Sequence, residues 1–522
     1  MAKSKFQKIQ RHLTVLILIL SSCSHQKPET TTLTIAMSSD PIELDPRGTY
    51  LCKDISIAKA LYEGLVREST QGIQLALAES YTLSEDQKVY TFKLKPSLWS
   101  NGDPLTAYDF EESLKQLHSE GFSPSVHTLL RVIKNSFNVS EHKLPLEDLG
   151  IYAKDALTLE ITLETPLSHF LEIIAHPVFY PVHTSLRNYY NTPLANVPQV
   201  SNGPFILKKY QPQNYLELKA NPHYYDRQVV HLNTIILKII PNLRTALKLL
   251  NNHTVDWIGS PWSSVLDKET QRALPEEVLH SYPVLSTTLL IYNFQKPLIQ
   301  NKAFRKAIAH ALNKEVIVQL VNQGKVAQSL VPPLLSYLPS PHPLTTEERQ
   351  KKAQAYFAQA KEQLSDKELS ELSLLYPLDS NNFTAIAQEI QQQIKQVLGL
   401  HITIQGTEYH NFLKHRKHGN FFIATGGWVA EYPSPVSFLA ILGNPYDLTK
   451  WQNDEYANAL ATLYTTNGNT EILQIIETIV EQETPIIPLY HSNHTYAINR
   501  KIHNIFDSPL GYVDLKKVAI TE

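Results

Sequence analysis

The stretch 372–404 limits the fold more than any other. Leu372-Ser373-Leu374-Leu375-Tyr376 is a short apolar run of strand type, Phe383, Ile386, Ala387, Ile390, Ile394, Val397 and Leu398 recur at helical spacing, and Leu400, Ile402 and Ile404 alternate. Strand, amphipathic helix and strand in that order read as a crossover in a parallel sheet. The chain is therefore expected to be of α/β class and doubly wound. A short helix over 410–417 follows, then the strand-like run Phe421-Phe422-Ile423-Ala424, and there the chemistry changes to Gly426-Gly427-Trp428-Val429-Ala430-Glu431-Tyr432-Pro433-Ser434-Pro435. In such sheets ligands bind in the crevice beyond the carboxyl ends of the strands. Adjacent glycines permit close backbone approach and positive φ, Trp428 offers a broad face with one donor, and Glu431 sets a carboxylate ahead of a proline-stiffened turn. The plain alternative is a Gly/Pro turn closed by a core tryptophan, with Glu431 solvated.

With 522 residues and 43% hydrophobic content there is material for two or three packed domains. The first 22 residues hold Lys3, Lys5, Lys8 and Arg11 and no acid, so the net charge of -3 becomes -7 without them. A mildly acidic remainder gives no electrostatic footing for nucleic acid. The basic start, an apolar run from Leu13 to Leu20 too short to span a bilayer, and Leu20-Ser21-Ser22-Cys23 form the pattern of an export signal. Its end resembles the bacterial lipoprotein signal, which implies cleavage after residue 22, lipidation of Cys23 and a polar tether over 23–32. A plain signal peptide or an uncleaved anchor is the alternative. Cys52 is the only other cysteine, so no structural disulfide is expected and Cys52 reads as a buried, inert thiol. Nothing after the tether approaches transmembrane length, and that part is expected to be soluble and outside the cytoplasm.

Thr32–Met37 alternates as a first strand and ends in Ser38-Ser39-Asp40-Pro41, again polar chemistry at a strand's end. Helix signals follow over 55–65, a hairpin-like pair near 89–94, turn chemistry in Asn101-Gly102-Asp103-Pro104, a helix over 107–117 capped by Thr106, and a cleanly alternating strand over 157–163. Residues 53–189 are read as an inserted subdomain. Strands over 215–220 and 234–240, a helix over 244–250, an apolar run over 282–294 and a helix over 303–321 complete the first half. Phe304, Ile308, Ala311 and Leu312 share one face of that last helix.

Several segments, in order, resemble the bacterial extracellular solute-binding family of peptide ABC importers, the oligopeptide- and dipeptide-binding proteins. They include Ala60-Leu61-Tyr62-Glu63-Gly64-Leu65, Trp99-Ser100-Asn101-Gly102-Asp103-Pro104, Ser201-Asn202-Gly203-Pro204-Phe205, Asn221-Pro222-His223-Tyr224-Tyr225, Phe304-Arg305-Lys306-Ala307-Ile308, the Trp428 stretch and Trp451-Gln452-Asn453-Asp454-Glu455-Tyr456. The resemblance implies a two-lobed periplasmic-binding-protein fold of type II: lobe I from 33–52, 190–284 and 490–522, lobe II from 285–489, a hinge, and the extra subdomain in the first lobe. It implies a peptide enclosed between the lobes with its backbone paired as an added strand. Glu431 would hold the peptide's α-ammonium, Trp428 line a side-chain pocket, Gly427 and Val429 offer backbone groups, and Ser39 and Asp40 supply the opposing edge. The implied partners are a peptide, an ABC permease, separate ATPase subunits and a membrane reached through the lipid anchor, with the chain itself a monomer at a periplasmic or cell-surface location and no cofactor or metal.

Two departures stand out. The family's usual aspartate is Glu431 here, one methylene longer, and the basic residue often found six positions earlier is Thr425. The peptide carboxylate thus lacks an assigned partner. Dipeptides, muropeptides, nickel chelates and haem stay open as ligands within the class. A secreted peptidase is the remote alternative, without a Gly-x-Ser-x-Gly elbow or a His-Glu-x-x-His motif to support it. His410, His415 and His418 near Glu408 read as a solvated basic face in preference to a metal site.

Overall fold

The computed structural model describes residues 31–49, 51–118, 129–187, 199–263, 265–322, 324–335, 344–442, 449–466 and 469–521. The expected signal peptide, Cys23 and most of the tether lie outside the described residues. Among the described residues no helix is long and apolar enough to cross a membrane.

An 11-stranded mixed sheet runs through both lobes. On the lobe I side lie Phe205–Gln211, Tyr215–Ala220, Thr234–Ile239, Thr32–Met37 and Trp257–Gly259; on the lobe II side lie Ile423–Val429, Ser373–Pro377 and Thr403–Thr407. Two long antiparallel strands, Leu279–Tyr292 and Ile486–Ile498, join them. Leu279 to Pro283 pair with Ala497 to Asn493 on the first side, and Thr287 to Ile291 pair with His491 to Ile486 on the second. Residues 284–286 fall out of this register. Buried backbone groups need partners, and Leu285 finds them elsewhere: its N–H donates to the Pro509 carbonyl (2.6 Å) and its carbonyl accepts from the Ala430 N–H (2.8 Å).

The crossover over 372–404 forms as a parallel pair, Ser373↔Thr403 to Pro377↔Thr407, around the helix Asn381–Leu398. Its second strand begins at Thr403 instead of Leu400. Gly399 ends the helix in the left-handed region (φ 66°), and Leu400 and Ile402 are spent in the apolar core before pairing starts. The helix expected over 303–321 is two, Lys302–Ala311 and Lys314–Val321. Asn313 divides them, because its side chain caps the second helix at the Val316 N–H and its own N–H donates to Gln393 (2.6 Å). Alternation along one long strand divides the core of lobe II: Leu290 and Tyr292 pack with Leu374 and Ile390 on one face, Leu289 and Ile291 with Trp451 and Ile476 on the other.

The inserted unit is an antiparallel sheet of Ala78–Leu83, Val89–Leu94, Thr158–Thr162 and Ile151–Asp155. The helix Ala107–Gln116 lies beside it, opened by a capping box of Thr106 and Asp109. Phe92, Leu159 and Phe170 of this unit share one apolar core with Leu33, Ile35 and Leu216 of lobe I. The helix Cys52–Leu61 packs on lobe I, against Phe205–Gln211 and Val513–Asp514.

A buried polar joint ties the same parts together. Arg67 grips the Asp514 carboxylate through Nε and Nη2 (2.5 and 2.8 Å), Glu63 through Nη1 (2.8 Å) and the Lys59 carbonyl (2.8 Å). Asn202 exchanges two hydrogen bonds with the Glu63 backbone (3.1 and 2.9 Å), and the Tyr224 hydroxyl donates to the Glu63 carboxylate. A Cβ at Gly203 would come within 2.5 Å of the Leu61 and Tyr62 backbone, so only glycine fits there. Burial by itself would raise the Asp514 pKa, but the Arg67 charge and hydrogen bonds reverse this and hold it well below the usual carboxylate range.

Candidate ligand site

The strand carrying the Gly-Trp pair runs Ile423–Val429, so the glycines lie inside it and not after its end as the sequence suggested. Neither takes a positive φ. Gly426 is required by packing, since a Cβ there would sit 2.8 Å from Ile291 Cδ1. Gly427 is exposed and meets only the Thr287 carbonyl at 3.9 Å, which leaves bare backbone on the surface of the strand. Its neighbours pair antiparallel with the long strand, Val429↔Ser286 through Ile423↔Tyr292.

Beyond Val429 the chain turns into a short helix, Pro435–Leu439, capped by Ser434 with proline at its first turn. Ser437 of this helix fixes the turn. Its Oγ accepts from the Glu431 N–H (3.0 Å) and its carbonyl accepts from the Trp428 indole Nε1–H (2.7 Å). Both side chains are thereby aimed into a cavity of about 490 Å³, within the range of small-molecule sites.

The cavity is walled by two units. Leu129, Val132, Leu167 and Ile173 come from the inserted unit, and Leu289, Ile291, Ile441 and Ile486 from lobe II. Across its edge the His169 ring stacks on Tyr432 (5.3 Å between centroids, 16° between planes). Tyr432 is buried within the core shared by lobe I and the inserted unit, so the lobes touch at this point.

Glu431 has no hydrogen bond or ion pair to its carboxylate among the described residues, and burial pushes its pKa up to about 7. Arg416, on the helix Tyr409–Lys417, lines the same cavity; its Nε is buried with no partner, and burial brings its pKa down to about 10. Its guanidinium lies 5.3 Å from the Phe412 ring centroid. His169 also lines the cavity, and burial lowers its pKa to about 4, so the ring is neutral.

Of the residues singled out from sequence, Glu431, Trp428 and Gly427 converge on this cavity. Val429 is 44% exposed at the strand's end and does not line it. Ser39 and Asp40 are elsewhere: the Lys53 ammonium donates to Ser39 Oγ (2.6 Å), the Ser39 carbonyl (3.1 Å) and the Asp40 carbonyl (2.7 Å), while Asp40 Oδ2 accepts from the Gln213 N–H (2.9 Å). Thr425 is fully buried, and its Oγ has no partner among the described residues. Glu408, near the histidines, spends its carboxylate capping a helix at the His410 and Asn411 N–H groups (2.9 and 3.2 Å). Sequence reasoning missed Arg416 and the wall from the inserted unit. The first lies among the histidines read as a solvated face and was not singled out, and no local pattern signals the second. Ser434-Pro435 did carry a signal for the helix that holds Ser437.

The chain matches the model of the bacterial extracellular solute-binding proteins, family 5, over residues 72–450. It is 27% identical over 515 residues to the dipeptide-binding protein DppE of Bacillus subtilis, covering 94% of this chain and 93% of that protein. To the oligopeptide-binding protein OppA of the same organism it is 26% identical over 501 residues, 92% of this chain and 91% of the relative. Among solved structures, the murein tripeptide-binding protein MppA of Escherichia coli superposes with a TM-score of 0.80 at 24% identity, covering 95% of this chain and 99% of that one.

Proposed function

The chain belongs to the bacterial extracellular solute-binding proteins of family 5, and from that premise we propose that it captures short peptides between its lobes outside the cytoplasm for an ABC importer. The observation that carries this reading is Glu431: a carboxylate with no paired cation among the described residues, pushed up to about pKa 7, in a cavity between two units. A buried charge needs a partner, and a peptide's α-ammonium supplies one through charge-assisted hydrogen bonds. Trp428 then flanks the first residue, and Gly427 and Val429 present strand backbone to an extended main chain.

Arg416 gives the ligand's acidic end the cation that Thr425 cannot. Ser39 and Asp40 serve as the opposing edge only if the Lys53 ammonium yields their carbonyls, so they act as ligand groups in a rearranged state or not at all. The chain has no phosphate-binding glycine loop, so ATP hydrolysis falls to a separate subunit and membrane passage to a permease. Its role is binding without turnover, as a monomer. Cys23 serves as the lipid anchor; Cys23→Ala is expected to move the protein from the membrane to the soluble fraction, and a variant that still pellets with membranes refutes the anchor.

Mass spectrometry of material released by denaturing the purified protein tests the function directly. Intact short peptides are expected. Recovery of haem, a metal chelate or cleaved fragments alone overturns the reading.

A further inference from the structure

The cavity says more about the ligand than that it carries an amine. Part of its polar lining is committed: Ser437 is used twice by the protein itself and Glu164 Oε2 accepts from the Asn135 N–H (2.9 Å), while the His169 ring, stacked on Tyr432, keeps a buried Nε2 without a partner among the described residues. Glu431 and Arg416 are reserved for the two ends of the ligand by the reading above. Beside Arg131, Thr165, Thr449 and Tyr464, the rest of the lining is chiefly hydrocarbon, and it comes from both walls: Leu129, Val132 and Leu167 on one, Leu289, Ile291 and Ile441 on the other. Most of these carbons belong to rigid core: Leu289 is 2% exposed, Leu129 5% and Leu167 7%. The walls therefore cannot swing a polar group inward.

We infer that the site selects peptides whose amino-terminal side chain is bulky and apolar, and discriminates against charged first residues. A family member that tolerates any side chain needs a roomy, wet pocket in which water solvates whatever enters. Here a lysine or aspartate side chain would exchange most of its hydration for walls that are chiefly aliphatic. A leucine or phenylalanine side chain would gain by leaving water. Burial of one such side chain corresponds to about a tenfold or greater gain in affinity. This inference rests on the peptide reading, and the test separates the two.

Calorimetry on the full chain with X-Ala-Ala tripeptides, X being Gly, Leu, Phe, Lys or Asp, together with N-acetyl-Leu-Ala-Ala, provides that test. The Leu and Phe peptides are expected to bind at least about tenfold more tightly than the Gly, Lys and Asp peptides. Lys or Asp peptides within threefold of the Leu peptide would overturn the selectivity. If the acetylated peptide binds as well as the free one while the Leu preference persists, the ammonium assignment fails and the selectivity stands. No binding by any peptide sinks both.

Ile441, which is only partly buried, is the variant of choice. Ile441→Asp should erase the preference for Leu and favour the Lys peptide; unchanged selectivity counts against the proposal. Val132→Asp on the facing wall, also partly buried, gives the same reading should the first variant fail to fold.

Discussion

Two carboxylates in this molecule are withdrawn from water and shifted in opposite directions. Asp514 sits in the joint between lobe I and the inserted unit, held bidentately by Arg67, and its pKa falls well below the usual range. Glu431 sits in the interlobe cavity with no cation paired to its carboxylate among the described residues, and its pKa rises to about 7. Both lose hydration; only one has been given a partner. The contrast separates a finished contact, which serves folding, from an unfinished one, which the proposed guest would complete. It also separates two kinds of sequence motif. Glu63, Asn202 and Tyr224 belong to stretches through which the chain resembles its family, yet they meet in the joint and build architecture.

Substitutions can break or sharpen this contrast. The largest effect is expected from Arg67→Met, which takes from the buried Asp514 and Glu63 their hydrogen-bonded cation and leaves only Lys59 and, 4.0 Å from Glu63, Lys516. A loss of about 3–5 kcal/mol in denaturant unfolding is expected, most of it recovered by adding Asp514→Leu. A loss under about 1 kcal/mol would mean that the joint is not a closed ionic unit.

Glu431→Gln should behave in the opposite way. Peptide affinity is expected to drop by about tenfold or more, the worth of a charge-assisted contact of about 1.5–3 kcal/mol. Stability of the free protein at pH 8 should stay level or rise, because an unpaired buried charge has been removed. A variant that unfolds more easily yet binds as before would reverse the roles of the two sites.

The pH dependence follows with opposite signs. The folded pKa of Glu431 lies above its unfolded value, so the native state retains a proton that the unfolded state has released. The free protein should therefore lose stability from this group as pH rises from about 4.3 to about 7. Asp514 adds stability that is present above about pH 3.9 and lost as pH falls below it. Since an ammonium guest needs the ionised form of Glu431, affinity should climb by up to about tenfold per pH unit below 7 and level off above. Calorimetry from pH 5.5 to 8.5 reads this; a flat profile would detach Glu431 from the ligand. The smallest effect is expected from Ser437→Ala. It removes the acceptor for the Glu431 N–H but keeps the carbonyl that holds Trp428, and should weaken peptide binding by about 0.5–1.5 kcal/mol without changing that pH profile.

The fold class was legible because periodicity is local information: the stripe from Phe383 to Leu398 and the runs around it need no knowledge of the rest of the chain. Boundaries were harder. Asn313 interrupts an apolar pattern that continues across it, and its capping role depends on Gln393, a residue distant in sequence. Gly426 and Gly427 suggested a break, yet the strand continues, since glycine at 426 answers to Ile291 on the neighbouring strand and not to its own backbone. The site was legible where chemistry changes abruptly along the chain, at Trp428 and Glu431. It was illegible where it depends on docking: nothing within 129–132 or 164–173 says that these residues face lobe II.

Leu285 stands where the long strands skip their pairing, with one hydrogen bond to the tail at Pro509 and another to Ala430, the residue next to Glu431. The break in the long-strand pairing thus reaches, through one hydrogen bond, the residue next to Glu431. On the reading proposed above, a jaw whose axle is welded to its own tooth cannot gape without moving the bite, and loading and release would be settled by the same small rotation that parts the halves, with no separate relay between them.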